Sequence, residues 1–143
     1  MGSVVAAVNW LNLTTVSGLV VARTSGCTVN RRGPFYEAVG YTRRFPLAGA
    51  FTIGSVVITR CPLSAAVWGH EVGHIRQYAW CGPMFVPLYG LAAGWSWLRT
   101  GDWWSHNVFE RRAGLAAGGY VQRPVRRLGA RRGGPAVVAA GGG

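Results

Sequence analysis

The segment GHEVGHIRQY, residues 69–78, contains two histidines four positions apart, with a glutamate directly after the first. Residues at this spacing share one face of an α-helix, so His70 and His74 can offer imidazole nitrogens to a single ion. Glu71 would lie beside that ion, where a general base can take a proton from a metal-activated water. The alternative is that both histidines are core residues of an apolar helix. The pattern favours a metal site with Zn²⁺ as the cofactor.

A catalytic zinc ion has three protein ligands and keeps one coordination position open. The candidates for the third ligand follow the motif: Asp102, His106 and Glu110. We favour Glu110, because Gly114 and Ala117 lie on or near its helix face and would let that helix approach the first one closely. The alternative is a capping box, with Asn107 as N-cap and Glu110 at the third helical position. His106 is the main competitor, as a ligand or as a group that stabilises a substrate oxyanion.

The composition limits the function classes. Among 143 residues there are 15 basic residues, all arginine, and four acidic residues, for a net charge of +11. Such a charge attracts nucleic acids and anionic membranes, but no nucleic-acid-binding motif accompanies it, so nucleic acid is not the expected partner. Three of the four acidic residues and all three histidines lie between positions 70 and 110, which indicates chemistry there. The three cysteines form no CxxC pair and are expected to be small buried apolar residues.

The first half of the chain has a β pattern. Residues 19–24 and 27–30 are predicted as strands separated by Ser25 and Gly26. Residues 51–53 and 56–58 are predicted as a hairpin through the two-residue loop Gly54-Ser55. The sequence therefore predicts a few antiparallel strands before the helical half.

The second half has helical signals. Pro62 is predicted to mark the first turn of a mostly buried helix that runs to about Trp80. The apolar run 88–98 is predicted as a buried helix. The alternative is an interfacial helix that contacts a membrane surface, because tryptophans concentrate in and after this run. A last helix is predicted from Asn107 to about Gln122.

Three regions are expected along the chain: an N-terminal apolar segment (1–17), a domain (18–122) and a disordered tail rich in Arg, Gly and Ala (123–143). Residues 1–22 carry no charged side chain, but polar residues interrupt this run and no basic stretch precedes it. The run therefore gives no clear signal peptide, and the sequence leaves the location open between cytoplasmic and membrane-associated.

The motif HEVGH, followed by a later helix with Glu110, resembles the gluzincin-type zinc metallopeptidases. The segment HEVGHIRQYAWCGPMFVPLY with NVFERRA after it is also similar to a group of short, largely uncharacterised bacterial zincin-like proteins; the resemblance covers about residues 52–120. It implies a zinc site formed by His70, His74 and Glu110, with Glu71 as the general base. Many gluzincins have an aspartate that orients a ligand histidine where this chain has Gly114. Asp102 or Asn107 are candidates to replace it.

We therefore expect an α+β, zincin-like domain. A small antiparallel β region precedes a central helix with the HExxH motif, and a C-terminal helix carries the third ligand. The expected function is zinc-dependent hydrolysis of peptide bonds in a peptide or protein substrate. The alternative is a non-catalytic zincin-like scaffold or membrane-surface module, in which the metal is structural or absent.

Overall fold

The computed structural model describes residues 1–44, 46 and 48–126. The helices in these residues are α1 (Gly2–Leu11), α2 (Thr14–Thr24), α3 (Ala65–Cys81), α4 (Phe85–Thr100) and α5 (Val108–Ala113). The strands are β1 (Thr28–Arg32), β2 (Phe35–Val39), β3 (Ala50–Ile53) and β4 (Val56–Thr59). A 3₁₀ turn, Gly82–Met84, joins α3 to α4. The protein therefore belongs to the α+β class, as predicted.

The four strands form one mixed sheet in the order β1-β2-β4-β3. The predicted β3–β4 hairpin is present, and Gly54 adopts the left-handed backbone that its turn requires (φ +61°). The expectation of purely antiparallel strands is wrong, because β2 pairs in parallel with β4. The segment 40–49 connects β2 to β3, which lies at the edge of the sheet and not next to β2. Strand β4 then lies between β2 and β3 and runs parallel to β2. Strand β2 was also missing from the sequence prediction.

The predicted strand at 19–24 is wrong, because these residues belong to α2. This helix packs on the sheet through small and polar residues: Thr14, Thr15, Gly18 and Ala22 are its buried positions. A Cβ on Gly18 would lie 2.4 Å from the carbonyl oxygen of Ile53, so the helix and β3 are in close contact. Of the β-branched residues that suggested a strand, Val20 and Thr24 are exposed, whereas Val21 is half-buried and packs against the core. The predicted segment boundary at residues 17 and 18 falls inside α2.

Helices cover both faces of the sheet. Val56 and Ile58 of β4 lie in a cluster with Ala22 of α2, whereas Val57 points to the opposite face and packs with Ile75 of α3. Helix α1 also packs against this second face through Ala6. Strand β4 is therefore buried along its whole length, and α3 is fixed directly against the sheet.

The central helix lies where the motif predicted it. It begins after Ser64, whose hydroxyl accepts a hydrogen bond from the Val67 N–H, and it ends at Gly82. The start, at Ala65, is thus three residues later than the one predicted at Pro62. The last helix is shorter than predicted: α5 ends at Gly114, where φ is +99°, and residues 115–126 form no helix or strand.

Helix α4 contains the apolar run 88–98, which forms a helix as predicted. The prediction that this helix is buried is wrong. Only Phe85, Ala93, Ser96 and Thr100 are buried in it, and many of its large apolar side chains are exposed. The buried-cysteine prediction also fails at Cys61, which is exposed. Residues 123–126 of the predicted tail have no helix or strand, and residues 127–143 lie outside the described part.

Helices α1 and α2 meet at an angle of 82°. Within the described residues, no single helix has both the length and the hydropathy of a membrane span. Taken together, the bent α1–α2 pair meets that criterion by length and composition.

Candidate metal centre

Three buried side chains from two helices meet at one point. His70 and His74 are one turn apart on α3, and Glu110 comes from α5; their exposed fractions are 3%, 7% and 2%. The two histidine Nε2 atoms are 3.1 Å apart. Glu110 Oε2 is 3.2 Å from Nε2 of His70, and Oε1 is 3.5 Å from Nε2 of His74. The structure therefore brings the residue favoured as third ligand to the histidine pair.

Both imidazoles are held by hydrogen bonds on the side that faces away from this point. His70 Nδ1 lies 3.0 Å from the carbonyl oxygen of Gly114, which can only accept a hydrogen bond. His74 Nδ1 lies 2.8 Å from Oε1 of Gln77, whose own amide nitrogen donates to the Phe109 carbonyl at 2.8 Å. The proton of each neutral imidazole is therefore on Nδ1, and each Nε2 directs its lone pair towards the carboxylate of Glu110.

These three groups fit a bound metal ion. Tetrahedral coordination at ~2.0–2.1 Å separates neighbouring ligand atoms by roughly 3.3 Å. The two Nε2 atoms are 3.1 Å apart, each lies 3.2 or 3.5 Å from a different oxygen of Glu110, and one ligand atom from each of the three residues lies within 4.8 Å of the other two. Glu110 Oε2 is buried and has no hydrogen-bond donor in the described structure, although a buried carboxylate oxygen needs a compensating partner. The described part of the chain thus contains a buried His-His-Glu group that can hold a metal ion.

Glu110 is held in its ionised form. Burial raises the pKa of its carboxyl, but hydrogen bonds that His70 and His74 donate when protonated, together with a donated bond from the Tyr89 hydroxyl, outweigh this and lower the pKa to about 2. For His70, burial lowers the pKa, whereas the hydrogen bond and the charge of Glu110 raise it, and the net shift is upward. A carboxylate that remains charged at neutral pH is the form that binds a metal.

Asn107 caps α5 without forming the capping box. Its side-chain oxygen accepts from the Phe109 N–H at 3.0 Å, and its own N–H donates to the carbonyl of Trp104 at 3.0 Å. In a capping box the Glu110 side chain would accept from that Asn107 N–H. Here it turns to the histidines instead, so the geometry does not support the capping alternative for Glu110.

Close packing of α5 on α3 delivers Glu110 to this point. A Cβ on Gly73 would lie 2.9 Å from Cα of Ala113, so the two backbones meet where a side chain would not fit. Gly114 then ends α5 with a positive φ, which presents its carbonyl to His70. The group that holds Nδ1 of His70 is therefore the Gly114 carbonyl, and not Asp102 or Asn107.

Glu71 lies beside the three-residue group and lines the same cavity. It is only 4% exposed, and its Oε2 accepts a hydrogen bond from the Thr52 hydroxyl at 2.7 Å. Thr52 lies opposite Val57 in the sheet, which places its side chain on the face covered by α3. Burial raises the pKa of Glu71, and the Thr52 hydrogen bond and the nearby histidines offset only part of that rise.

A cavity of about 600 Å³ opens onto these groups. Its polar end contains His70, Glu71, His74 and Glu110. Its walls are mainly apolar and aromatic: Tyr41, Phe51, Phe85, Val86, Tyr89 and Tyr120. The volume lies within the range of small-molecule and peptide side-chain pockets.

Two of the predicted accessory residues lie elsewhere. Asp102 Oδ1 accepts hydrogen bonds from the N–H groups of Trp104 and Ser105 and from the Ser105 hydroxyl, so it orders the loop after α4. His106 is half-buried, and its backbone N–H donates to the Ser96 hydroxyl. Neither belongs to the three-residue group, and neither lines the cavity.

Sequence reasoning missed three residues that position the group: Thr52, Gln77 and Tyr89. Gln77 is half-buried, and its side-chain oxygen holds His74. Its position three residues after His74 was the available signal, since side chains three apart meet on a helix. The contacts of Thr52 and Tyr89 depend on tertiary packing, so no local pattern indicated them.

No protein-family model matches this chain, and no similar protein was found among the curated proteins or the solved structures.

Proposed function

We propose that this protein is a zinc-dependent peptide hydrolase. The observation that carries the proposal is the buried His70-His74-Glu110 group with Glu71 next to it on the wall of a cavity. Two histidines and a glutamate are the ligand set of gluzincin-type metallopeptidases, which the HEVGH segment resembles. The proposal assigns this chain to that kind of active site within a zincin-like fold.

Zinc is the metal that suits these donors best. Calcium and magnesium prefer all-oxygen ligands, whereas two imidazoles and one carboxylate suit zinc. Three protein ligands leave a fourth coordination position for water or substrate. A zinc ion held there supplies Lewis acidity, which polarises a substrate carbonyl and makes a water molecule more acidic.

The chain's own groups provide proton transfer and orientation. Glu71 is assigned as the general base, since its raised pKa is closer to neutral than that of an ordinary carboxyl. It takes a proton from the attacking water and returns it to the amine that leaves. Thr52 fixes the orientation of the carboxylate through Oε2. The aromatic walls of the cavity exclude bulk water and give apolar side chains of a peptide a place to pack.

Metal analysis of the purified protein, combined with three variants, tests the proposal. The wild type should contain close to one equivalent of zinc and cleave a mixed peptide library. Glu71→Gln should keep the metal and lose cleavage, by a factor on the order of 10² to 10⁴. His74→Ala should lose both. The matched control is Glu37→Gln, a carboxylate of β2 that pairs with Arg32, and it should change neither property.

Three results would contradict the proposal. A zinc content below about a tenth of an equivalent would remove the basis of the site. Cleavage by Glu71→Gln at the wild-type rate would contradict the role of Glu71 as general base. No cleavage by the zinc-loaded wild type would favour the non-catalytic alternative, in which the metal is structural.

A further inference from the structure

Helix α4 carries a stripe of exposed apolar side chains along its whole length. Leu88, Leu91, Trp95 and Leu98 are exposed at 39%, 73%, 57% and 65%. Their spacing places them within roughly 80° of one another around the helix axis. The buried residues of α4 lie on the opposite side. The stripe is therefore a second apolar face, which the described residues of the chain do not cover.

The stripe continues onto the neighbouring elements at the start of α4. Met84 is 58% exposed and Trp80, near the end of α3, is 90% exposed. The corner between α1 and α2 adjoins this region, because the Asn12 amide donates to the Tyr78 carbonyl. Leu11 and Leu13 at that corner are 84% and 64% exposed.

Leu13 is held outwards at an energetic cost. Its φ of +63° makes it the one described non-glycine residue with a left-handed backbone. This conformation costs roughly 1–2 kcal/mol in an L-residue. Asn12 fixes the corner, since its side-chain oxygen accepts bonds from the N–H and the hydroxyl of Thr14. We call the following exposed residues the apolar patch: Leu88, Leu91, Trp95 and Leu98 on α4, together with Met84, Trp80, Leu11 and Leu13.

The surface around the apolar patch is cationic. None of the four acidic residues of the chain is exposed, whereas every described arginine except Arg32 is exposed. Arg76 lies one helical turn before Trp80. At the other end of α4 the Arg99 guanidinium lies 5.4 Å from the centre of the Trp95 ring, and the Arg126 N–H donates to the Arg99 carbonyl. Positive side chains thus lie at both ends of the patch.

We propose that the apolar patch docks the protein on an anionic phospholipid surface. Exposed Leu and Trp side chains would insert at headgroup level, and the arginines would pair with lipid phosphates and carboxylates. A second copy of the chain fits less well, because its patch has the same positive rim and no exposed acidic residue.

Vesicle co-sedimentation of the full chain tests this inference. The vesicles contain phosphatidylcholine alone or with about 30% phosphatidylserine, at physiological salt. The test variant is Leu91→Ser with Trp95→Ser, and the matched control is Val16→Ser with Val20→Ser on the exposed side of α2. A further variant, Arg99→Glu, probes the charge.

The wild type should bind the anionic vesicles and bind the neutral ones at least about tenfold more weakly. The Leu91/Trp95 variant should lose at least about tenfold in affinity, Arg99→Glu at least about fivefold, and the α2 control should bind like wild type. Circular dichroism checks that each variant is folded.

Three outcomes would overturn the inference: no binding of wild type to anionic vesicles, equal binding to neutral vesicles, or wild-type binding by the Leu91/Trp95 variant. A dimer that this variant dissociates, with vesicle binding unchanged, would instead assign the patch to self-association. The inference does not rest on the proposed hydrolysis, because the measurement requires no cleavage.

Discussion

The pair of glycines in the motif helix allows a controlled test of how the site is built. Adding a methyl group at Gly73 would place a Cβ 2.9 Å from Cα and 3.0 Å from Cβ of Ala113. The first contact is with backbone, so α5 itself must move. Overpacking of this kind costs about 1–3 kcal/mol. The better helix propensity of alanine offsets about 1 kcal/mol of that cost.

The consequence for the metal site follows from the position of Glu110. Moving α5 away from α3 displaces the Glu110 carboxylate from His70 and His74, whose Nε2 atoms are 3.2 and 3.5 Å from its oxygens. We therefore expect Gly73→Ala to lower zinc affinity by at least about tenfold, since ligand geometry sets metal affinity. Global stability should fall by up to about 2 kcal/mol.

Gly69→Ala is the matched control. It changes the same residue type one turn earlier on the same helix, and a Cβ there meets nothing within 4 Å. This variant should gain up to about 1 kcal/mol of stability and keep its zinc affinity. Urea unfolding in the presence of a chelator, together with competition against a zinc indicator, measures both quantities. If the two variants behave alike in both assays, the close α3–α5 contact does not build the site.

Three further predictions concern residues that position the ligands or the loop before them. Gln77→Ala should lower zinc affinity about 10- to 100-fold, because His74 loses its Nδ1 partner; Gln122→Ala, an exposed glutamine, is the control in the same indicator titration. Gly114→Ala should lower both thermal stability and zinc affinity, because φ at this position is +99° and its carbonyl holds His70; unchanged affinity would contradict the role of that carbonyl. Asp102→Ala should cost about 2 kcal/mol in chemical denaturation, from its lost hydrogen bonds, and should leave zinc content near one equivalent. If that variant loses the metal, the site requires the loop after α4 to be ordered by Asp102.

The structure changes the prediction made for the tryptophan-rich helix α4. The sequence prediction treated the apolar run 88–98 as a buried helix, since an uncharged helix of this length usually lies in a core. In the structure only one face of α4 contacts the protein. The exposed stripe on α4 therefore supports the alternative prediction, in which this helix contacts a membrane surface.

Local sequence determined the elements whose patterns are strong. The HExxH spacing predicted α3 and the shared face of His70 and His74, and Gly54 predicted the hairpin. Glu110 was selected as the third ligand candidate from the spacing of small residues on its predicted helix and from the small number of acidic residues in the chain. These predictions succeeded because each depends on contacts within a few residues or on composition.

Only the tertiary structure decided the remaining features. Residues 19–24 form a helix despite their β-branched side chains, because Gly18 and Ala22 allow that helix to lie directly on the sheet. The Gly114 carbonyl holds His70, and Thr52 and Tyr89 reach Glu71 and Glu110 from distant elements. Contacts of this kind join residues far apart in the chain, so their energies depend on packing that no local pattern encodes.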